Sequence, residues 1–377
     1  MAHRPTTVED IPKFDVIIDA RSPAEFELDH IPGALNCPVL DNDERRIVGT
    51  LYKQQCAFEA RRVGGAMVAA NLARHLREQF ADMPRQWKPM VYCWRGGLRS
   101  GSMVTWMRLV GWDAQQLAGG YKTWRRHVID EIDRMSPVLP LVVLAGPTGS
   151  AKTRVLHALQ ARNEQVLDLE ACAAHKGSVL GALPGCPQPS QKGFETELAR
   201  QLAGLDVSRP VYVEAESRKI GKISLPTELL MRLRGSPCIE IAATREARLQ
   251  FLLHDYAYLG DDGEGLATQL GLLRDLHSKE TITRWQAWAR NGQLADLYGE
   301  LMQHHYDALY ARSQASHLFN FHAAEKLPCD DLSANGIDEL ATRVVDATPK
   351  ALAAQPRRNA PVSHEPAVEP AQPRPGR

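Results

Sequence analysis

Residues 89–100, PMVYCWRGGLRS, decide how the first half of the chain is read. The apolar run PMVYC (89–93) reads as a short buried strand, a glycine-rich loop follows, and residues 100–110 carry a helical pattern. Upstream, FDVIIDA (14–20) is another short apolar run that opens onto a charged turn, and residues 62–80 place apolar positions at helical spacing. Strands that alternate with helices predict a parallel sheet with helices on its faces. The same grammar restarts at LVVLAG (141–146), continues into a loop and a helix from Lys152, and returns to a strand at VYVEA (211–215). Residues 269–312, rich in Leu, Trp, His and Arg, read mostly as helices. We therefore expect two α/β units: a parallel-sheet domain over 8–132, a linker at 133–140 (DRMSPVLP), and a second α/β domain with a helical C-terminal part over 141–347. Residues 348–377 are expected to form a disordered tail. Seven prolines fall in the last 29 residues, and too few large apolar groups remain to offset the entropy of ordering them.

Composition narrows the classes. The chain has 377 residues, 44% of them apolar and 24% charged, which suits more than one globular core. Lys and Arg number 45, as do Asp and Glu, which excludes a globally basic nucleic-acid coat but not a local basic groove. The longest apolar run, 138–145, is too short to span a bilayer, and MAHRPTTVED has no apolar stretch of the kind a secretory signal needs. Seven scattered cysteines, none at CxxC spacing, suggest neither a disulfide framework nor a zinc site. A soluble, cytoplasmic protein without a structural metal is expected.

Two loops carry chemistry. In CWRGGLRS the backbone N–H groups between strand and helix can turn inward as an anion-binding nest, with Gly96 and Gly97 permitting the turn. Cys93 stands at its floor, and Arg95, Arg99 and Ser100 complete a candidate anion site. The thiolate form of such a cysteine is the competent nucleophile. Cys37, Cys56, Cys172, Cys186, Cys238 and Cys329 lack these surroundings and are expected to be packing or surface thiols. The second loop, GPTGSAKT (146–153), matches a phosphate loop except that Ala151 stands where its last glycine is usual. Gly146, Gly149, Lys152 and Thr153 would hold a phosphate, with the Ala151 Cβ limiting its approach. Asp168, Glu170, Glu214 and Glu216 are the candidate acids beside it.

The block DARSPAEFELDHIPGALN (19–36), the Cys93 loop and GGYKTW (119–124) together resemble a rhodanese (sulfurtransferase) domain. Within that likeness Asp19, Arg21, Glu25 and His30 are expected to be architectural. The C-x5-R spacing from Cys93 to Arg99 is one residue longer than usual there, which suits a tetrahedral, phosphate-bearing donor. With HKGSVLG (175–181), QPSQKGFE (188–195), VEAESRKIG (213–221) and the phosphate loop, residues 8–345 resemble the bacterial tRNA 2-selenouridine synthases, a rhodanese domain joined to a P-loop NTPase-like domain. The resemblance implies a transferase that geranylates the wobble 2-thiouridine of tRNAs for Lys, Glu and Gln from geranyl diphosphate. It then exchanges S-geranyl for selenium from selenophosphate. Cys93 would be the thiol of the selenation step, Arg95 and Arg99 would hold the phosphate of selenophosphate, and Lys152 and Thr153 the diphosphate, with Mg2+ as an optional companion and no cofactor firmly required. An enzyme that supplies selenophosphate would be a natural partner; a membrane would not. Arg218, Lys219 and Lys222, followed by Arg232 and Arg234, are candidate tRNA contacts, and Trp285, Trp288 or Tyr306 candidate stacking groups. An ATP-dependent tRNA sulfurtransferase, a cysteine phosphatase and a non-enzymatic anion-binding scaffold remain open on the residues alone.

Overall fold

In the computed structural model, which describes residues 5–178, 180–310 and 318–354, the first sheet has four parallel strands. These are β1 (Val16–Asp19), β2 (Leu35–Asn36), β3 (Pro89–Tyr92) and β4 (Gln115–Gln116), in the order β2-β1-β3-β4. Every residue of β3 is buried, as a central parallel strand covered on both faces requires. Its register sets Asp19 opposite Tyr92, so the carboxyl ends of β1 and β3 open together where Cys93 follows. Helices α1 (Pro23–Leu28), α2 (Asn42–Gln54), α3 (Ala57–Glu78), α4 (Leu98–Val110) and α5 (Gly120–Met135) make the crossovers and cover the faces. A fully buried ion pair ties the frame: Arg21 donates to Asp19 at 2.6 Å and to the Asp29 carbonyl at 2.7 Å. His30 stacks on Phe26 at 3.8 Å, with Nδ1 2.9 Å from the Phe26 carbonyl, and is architectural as expected.

The second sheet is wholly parallel, with β5 (Leu141–Ala145) at its centre. Around it lie β6 (Gln165–Leu167), β7 (Val211–Glu214), β10 (Cys238–Ala243) and β11 (Glu325–Cys329), in the order β11-β10-β5-β7-β6; β8 (Lys219–Ile220) and β9 (Ile223–Ser224) form a separate hairpin. All five residues of β5 are buried, and they alternate between two cores. Leu141, Val143 and Ala145 face α5, α8 (Gln191–Ala203) and α9 (Thr227–Arg234), whereas Val142 and Leu144 face α6 (Lys152–Ala161) and the C-terminal helix α14 (Ala334–Ala353). The short helix α7 (Leu169–Ala173) joins the first of these cores. Chain direction splits at β5, so its carboxyl end is the crevice where a ligand of an open α/β sheet sits. Helices α10 (Arg245–Asp255), α11 (Gly263–Leu270), α12 (Lys279–Arg290) and α13 (Leu294–Glu300) close a separate cluster around Trp285.

Two expected boundaries move. Residues 133–135, assigned to the linker, are the last turn of α5, and 136–138 form a 3-10 turn. The reason is amphipathicity. Tyr121 at the start of α5 belongs to the first domain's core, while Val128, Ile132 and Met135 pack into the second domain's core. One helix is thus shared by both units. Likewise the tail expected from 348 does not start there. Leu340, Ala341, Val344 and Ala351 form the buried stripe of α14, and Thr348 bonds to Tyr212 at 2.9 Å, so the helix continues through Pro349 to Ala353. Residues 355–377 of that expectation lie outside the described residues.

Candidate active site

Cys93 is the first residue after β3 and is buried. Ser100 Oγ donates to its Sγ at 3.1 Å, and Gln116 Nε2 donates to Ser100 Oγ at 2.8 Å and to the Gly97 carbonyl at 3.0 Å. The loop is held from behind by the 119–122 turn. Tyr121 N–H donates to the Cys93 carbonyl at 2.8 Å and Lys122 N–H to the Trp94 carbonyl at 3.0 Å. That approach needs glycine at two places. Gly120 has φ +60°, and a Cβ there would stand 2.1 Å from the Cys93 oxygen; Gly96 has φ +62°, and its Cβ would stand 2.9 Å from the Leu117 oxygen. Gly97 caps α4, so the helix amino terminus faces the loop.

Arg99 departs from expectation. Its guanidinium is turned to Glu25, at 2.6 and 3.3 Å, rather than into the loop. Burial opposes ionisation of Glu25, but the Arg99 hydrogen bonds and charge prevail and hold its carboxyl below the ordinary value. The pair therefore braces α1 against α4, and the planar fork read as an oxyanion holder is already satisfied. Arg95 is exposed and has no hydrogen-bond or ion-pair partner among the described residues. Ser100, assigned to anion binding, serves the thiol from beneath. Beside the cysteine loop a groove of about 990 Å³ runs between the α2–α3 hairpin and α4, lined by Val48, Tyr52, Gly64, Leu98, Arg99 and Gln116.

At the end of β5 the phosphate loop has the expected strand–loop–helix setting. Gly146 and Gly149 take φ +155° and +85°, and Lys152 Nζ donates to the Gly146 carbonyl at 2.8 Å. Ala151 adopts φ 57°, the left-handed region that explains why glycine is usual there. Its side chain is buried in the core with Val155 and Ile241. Sequence reading missed Arg248 of α10. It donates to the Thr148 carbonyl at 2.9 Å and pairs with Asp307 at 2.6 Å, fastening the loop to the helical cluster.

The acids separate. Glu170, Glu214 and Glu216 converge on Lys152, with Thr153 Oγ1 donating to Glu170 at 3.1 Å and Glu170 N–H to Glu214 at 3.3 Å. Asp168 instead caps α7 through Ala171 N–H at 2.7 Å and meets His157 at 3.0 Å. Burial, then the neighbouring carboxylates, pushes Glu214 well above the ordinary range. Burial also raises Glu170 against the pull of Lys152, and burial with the Glu170 charge pushes Glu216 up to about 8. Burial lowers Lys152. Gly177 of the HKGS segment closes over the cluster at φ +67°, where a Cβ would be 2.7 Å from Glu170 and 2.9 Å from Glu216. Beside Thr148 a narrow cavity of about 20 Å³ is lined by Leu180, Leu252, Tyr256, Met302 and Tyr306. No three His, Cys, Asp or Glu side chains among the described residues are disposed to hold a metal ion.

Arg218, Lys219 and Lys222 are exposed on the β8–β9 hairpin. Arg232 instead donates to the Leu139 carbonyl at 2.6 Å, where the domains join. Trp285, offered as a stacking group, is fully buried with Nε1 donating to Glu300 at 2.9 Å; it is core. Trp288 and Tyr306 are half-buried against the same cluster. Cys37, Cys172 and Cys238 are buried, and burial pushes each thiol up to about 12, as packing residues require. None of the described helices is long and apolar enough to cross a membrane.

Two family models match the chain: a rhodanese-like domain over residues 6–127 and the AAA domain of tRNA 2-selenouridine synthase over 139–271. Among curated relatives, the tRNA 2-selenouridine synthase of Nitrosomonas europaea is 38% identical over 76% of this chain and 74% of its own length. That of Nitrosomonas eutropha is 38% identical over 64% of this chain and 62% of its own. That of Pseudomonas syringae pv. tomato is 33% identical over 78% and 81%.

Proposed function

The chain belongs to the tRNA 2-selenouridine synthase family, and on that premise we propose that it is a tRNA-modifying transferase acting on wobble 2-thiouridine in tRNAs for Lys, Glu and Gln. In the first step the 2-thio sulfur attacks C1 of geranyl diphosphate; the S–C bond forms, the C–O bond breaks, diphosphate leaves and the N3 proton passes to solvent. The exchange step then forms a C2–Se bond from selenophosphate and expels geranylthiolate, and water cleaves the P–Se bond to release phosphate. Alkylation is what makes the sulfur a competent leaving group. The reaction takes place where the tRNA is, in the cytoplasm, with an enzyme that makes selenophosphate supplying the donor.

The observation that carries the reading is a buried thiol, at the floor of a glycine-shaped loop with Ser100 donating to it at 3.1 Å, in one chain with a phosphate loop. Cys93 meets selenophosphate and orients it for attack on C2. The phosphate group falls to the loop amides and to Arg95, since Arg99 is engaged by Glu25. The diphosphate falls to the amides of 146–153, Lys152 and Thr153. A magnesium ion arriving with it would take protein oxygens from Thr153 and Glu170, the pair already in contact, and would neutralise charge on the leaving diphosphate.

The test is nucleoside mass spectrometry after incubation with 2-thiouridine tRNA, geranyl diphosphate and selenophosphate. Wild type is expected to yield 2-selenouridine and Cys93→Ser to stop at the geranylated nucleoside. A wild type that leaves the tRNA untouched while its donors are bound, or a Cys93→Ser variant that selenates normally, overturns the assignment.

A further inference from the structure

Around Trp94, the residue after Cys93, the structure gathers charge that the overall composition conceals. Trp94 is 37% exposed and its ring stacks on Tyr121 with centroids 5.3 Å apart. Behind Tyr121, Arg21 lies 3.9 Å from the ring centroid and is itself locked to buried Asp19. This column, together with the Lys122 N–H bond to the Trp94 carbonyl, fixes the indole rigidly at the loop's mouth.

Three cations stand on the segments that meet at Trp94, and they come from three parts of the chain. Arg95 is next in sequence, Lys122 is placed by its backbone bond to Trp94, and Lys192 of α8 reaches from the second domain to 5.6 Å from the indole centroid. All three are exposed, and none has a carboxylate partner among the described residues. Acids on the adjoining elements are already engaged: Asp29 with the Tyr121 hydroxyl, Glu25 with Arg99, and Glu195 with Arg125. Helix α8 is seated there by Ser190 Oγ, which donates to the Leu28 carbonyl of the first domain. The same helix start holds the basic hairpin, through Lys222 N–H to Gln188 at 2.8 Å and Gln191 to Ser224 at 2.8 and 2.9 Å. The cations of the hairpin therefore continue those at Trp94.

We infer that Trp94 is the stacking platform for the reacting nucleobase, and that Lys192, Lys122 and the β8–β9 hairpin form a cationic track for the flanking RNA phosphates. The inference rests on the reading of tRNA as the substrate. Consecutive Cα atoms lie about 3.8 Å apart, so the backbone that carries the indole adjoins that of Cys93. A splayed-out loop base has an exposed π-face that an indole accepts irrespective of its identity, whereas phosphates require cations that are not otherwise neutralised. A base on the indole takes the place of the Lys192 ammonium and frees it for phosphate. Neither domain alone provides the site.

The full-length protein tests this with a 2-thiouridine anticodon stem-loop as the binding probe and S-geranylated tRNA as the reactant. Trp94→Ala is expected to weaken binding and raise KM by about tenfold to a hundredfold with little change in kcat, and Trp94→Phe to recover most of the loss. Replacing both Lys122 and Lys192 by Ala is expected to lower the slope of log affinity against log salt by about 1.4–1.8, two phosphates' worth. Unchanged binding and KM in Trp94→Ala, or an unchanged salt slope in the double variant, overturns the inference. Wild type that binds the stem-loop but makes no selenouridine sinks the proposed reaction, while the binding measurements still decide the platform.

Discussion

The two anion cradles of this protein are built from the same materials and held at opposite electrostatic settings. The Cys93 loop offers glycine-shaped amides, a helix amino terminus and cations, at Arg95, Lys122 and Lys192, that have no carboxylate partner among the described residues. The phosphate loop offers the same amides, but its Lys152 turns back to the Gly146 carbonyl and stands among Glu170, Glu214 and Glu216. The first is ready for an anion as it stands. In the second, burial favours the protonated carboxyls, and each one that ionises opposes an anion there, which ties donor binding to pH. Motifs that look equivalent in sequence thus differ in readiness, because readiness is set by what the rest of the fold brings alongside.

The largest effect that separates them is expected from Gly120→Ala. Its Cβ would lie 2.1 Å from the Cys93 oxygen and 2.5 Å from the Gly96 nitrogen at a positive φ. Overpacking and backbone strain together cost about 2 kcal/mol or more, so single-turnover selenation should fall at least about 30-fold. Geranyl diphosphate binding, measured by calorimetry, should stay as in wild type; equal losses at both loops would mean the two are coupled. Next in size, Lys152→Ala removes the charged donor and should weaken geranyl diphosphate about tenfold to a hundredfold. Selenation of tRNA already geranylated should proceed unchanged, and undiminished donor binding would remove Lys152 from the site.

Glu216→Gln sharpens the electrostatic contrast. Folding raises the Glu216 carboxyl from its ordinary 4.5 to about 8, chiefly through burial and then through the Glu170 charge. The folded state therefore binds more protons than the unfolded chain between those values. This stabilisation is complete below the ordinary value and is lost as pH climbs through about 8. Wild type should lose more of its urea midpoint between pH 6 and 8.5 than the Gln variant; parallel losses would show that the carboxyl is not held protonated. The smallest effect belongs to Ala151→Gly. Relief of about 1 kcal/mol of left-handed strain is offset by the lost methyl burial of about 0.8 kcal/mol, so the melting temperature should move by a few degrees at most. Donor affinity should not change, because the Cβ faces the core; a clear gain in affinity would show that it crowds the phosphate after all.

Sequence reached both loops, both sheets and the pairing of the two domains, because strand–glycine loop–helix is a local pattern whose residues lie within about a dozen positions. It failed where partners are distant in the chain. Arg99 is 74 positions from Glu25, whose carboxylate takes its fork, and Arg248 is 100 positions from the loop it fastens. Trp285 carried no local sign that it is buried, whereas Trp94, next to the cysteine, was passed over as a stacking group. The linker was misjudged for a related reason. Two prolines and mixed charge announced a break, but Ile132 and Met135 had a second core to enter, so α5 continued.

Covalent order alone determined that Cys93 directly follows a buried strand and precedes a glycine turn, and that Lys152 opens a helix after a buried strand and a glycine-bearing loop. Tertiary structure decided which cations, among the described residues, stand without a carboxylate and which carboxyls burial pushes up. Charge–charge interactions and desolvation act through space over several ångströms, so only the packing of remote segments could set Arg99 against Glu25, three glutamates around Lys152, and Lys192 over Trp94.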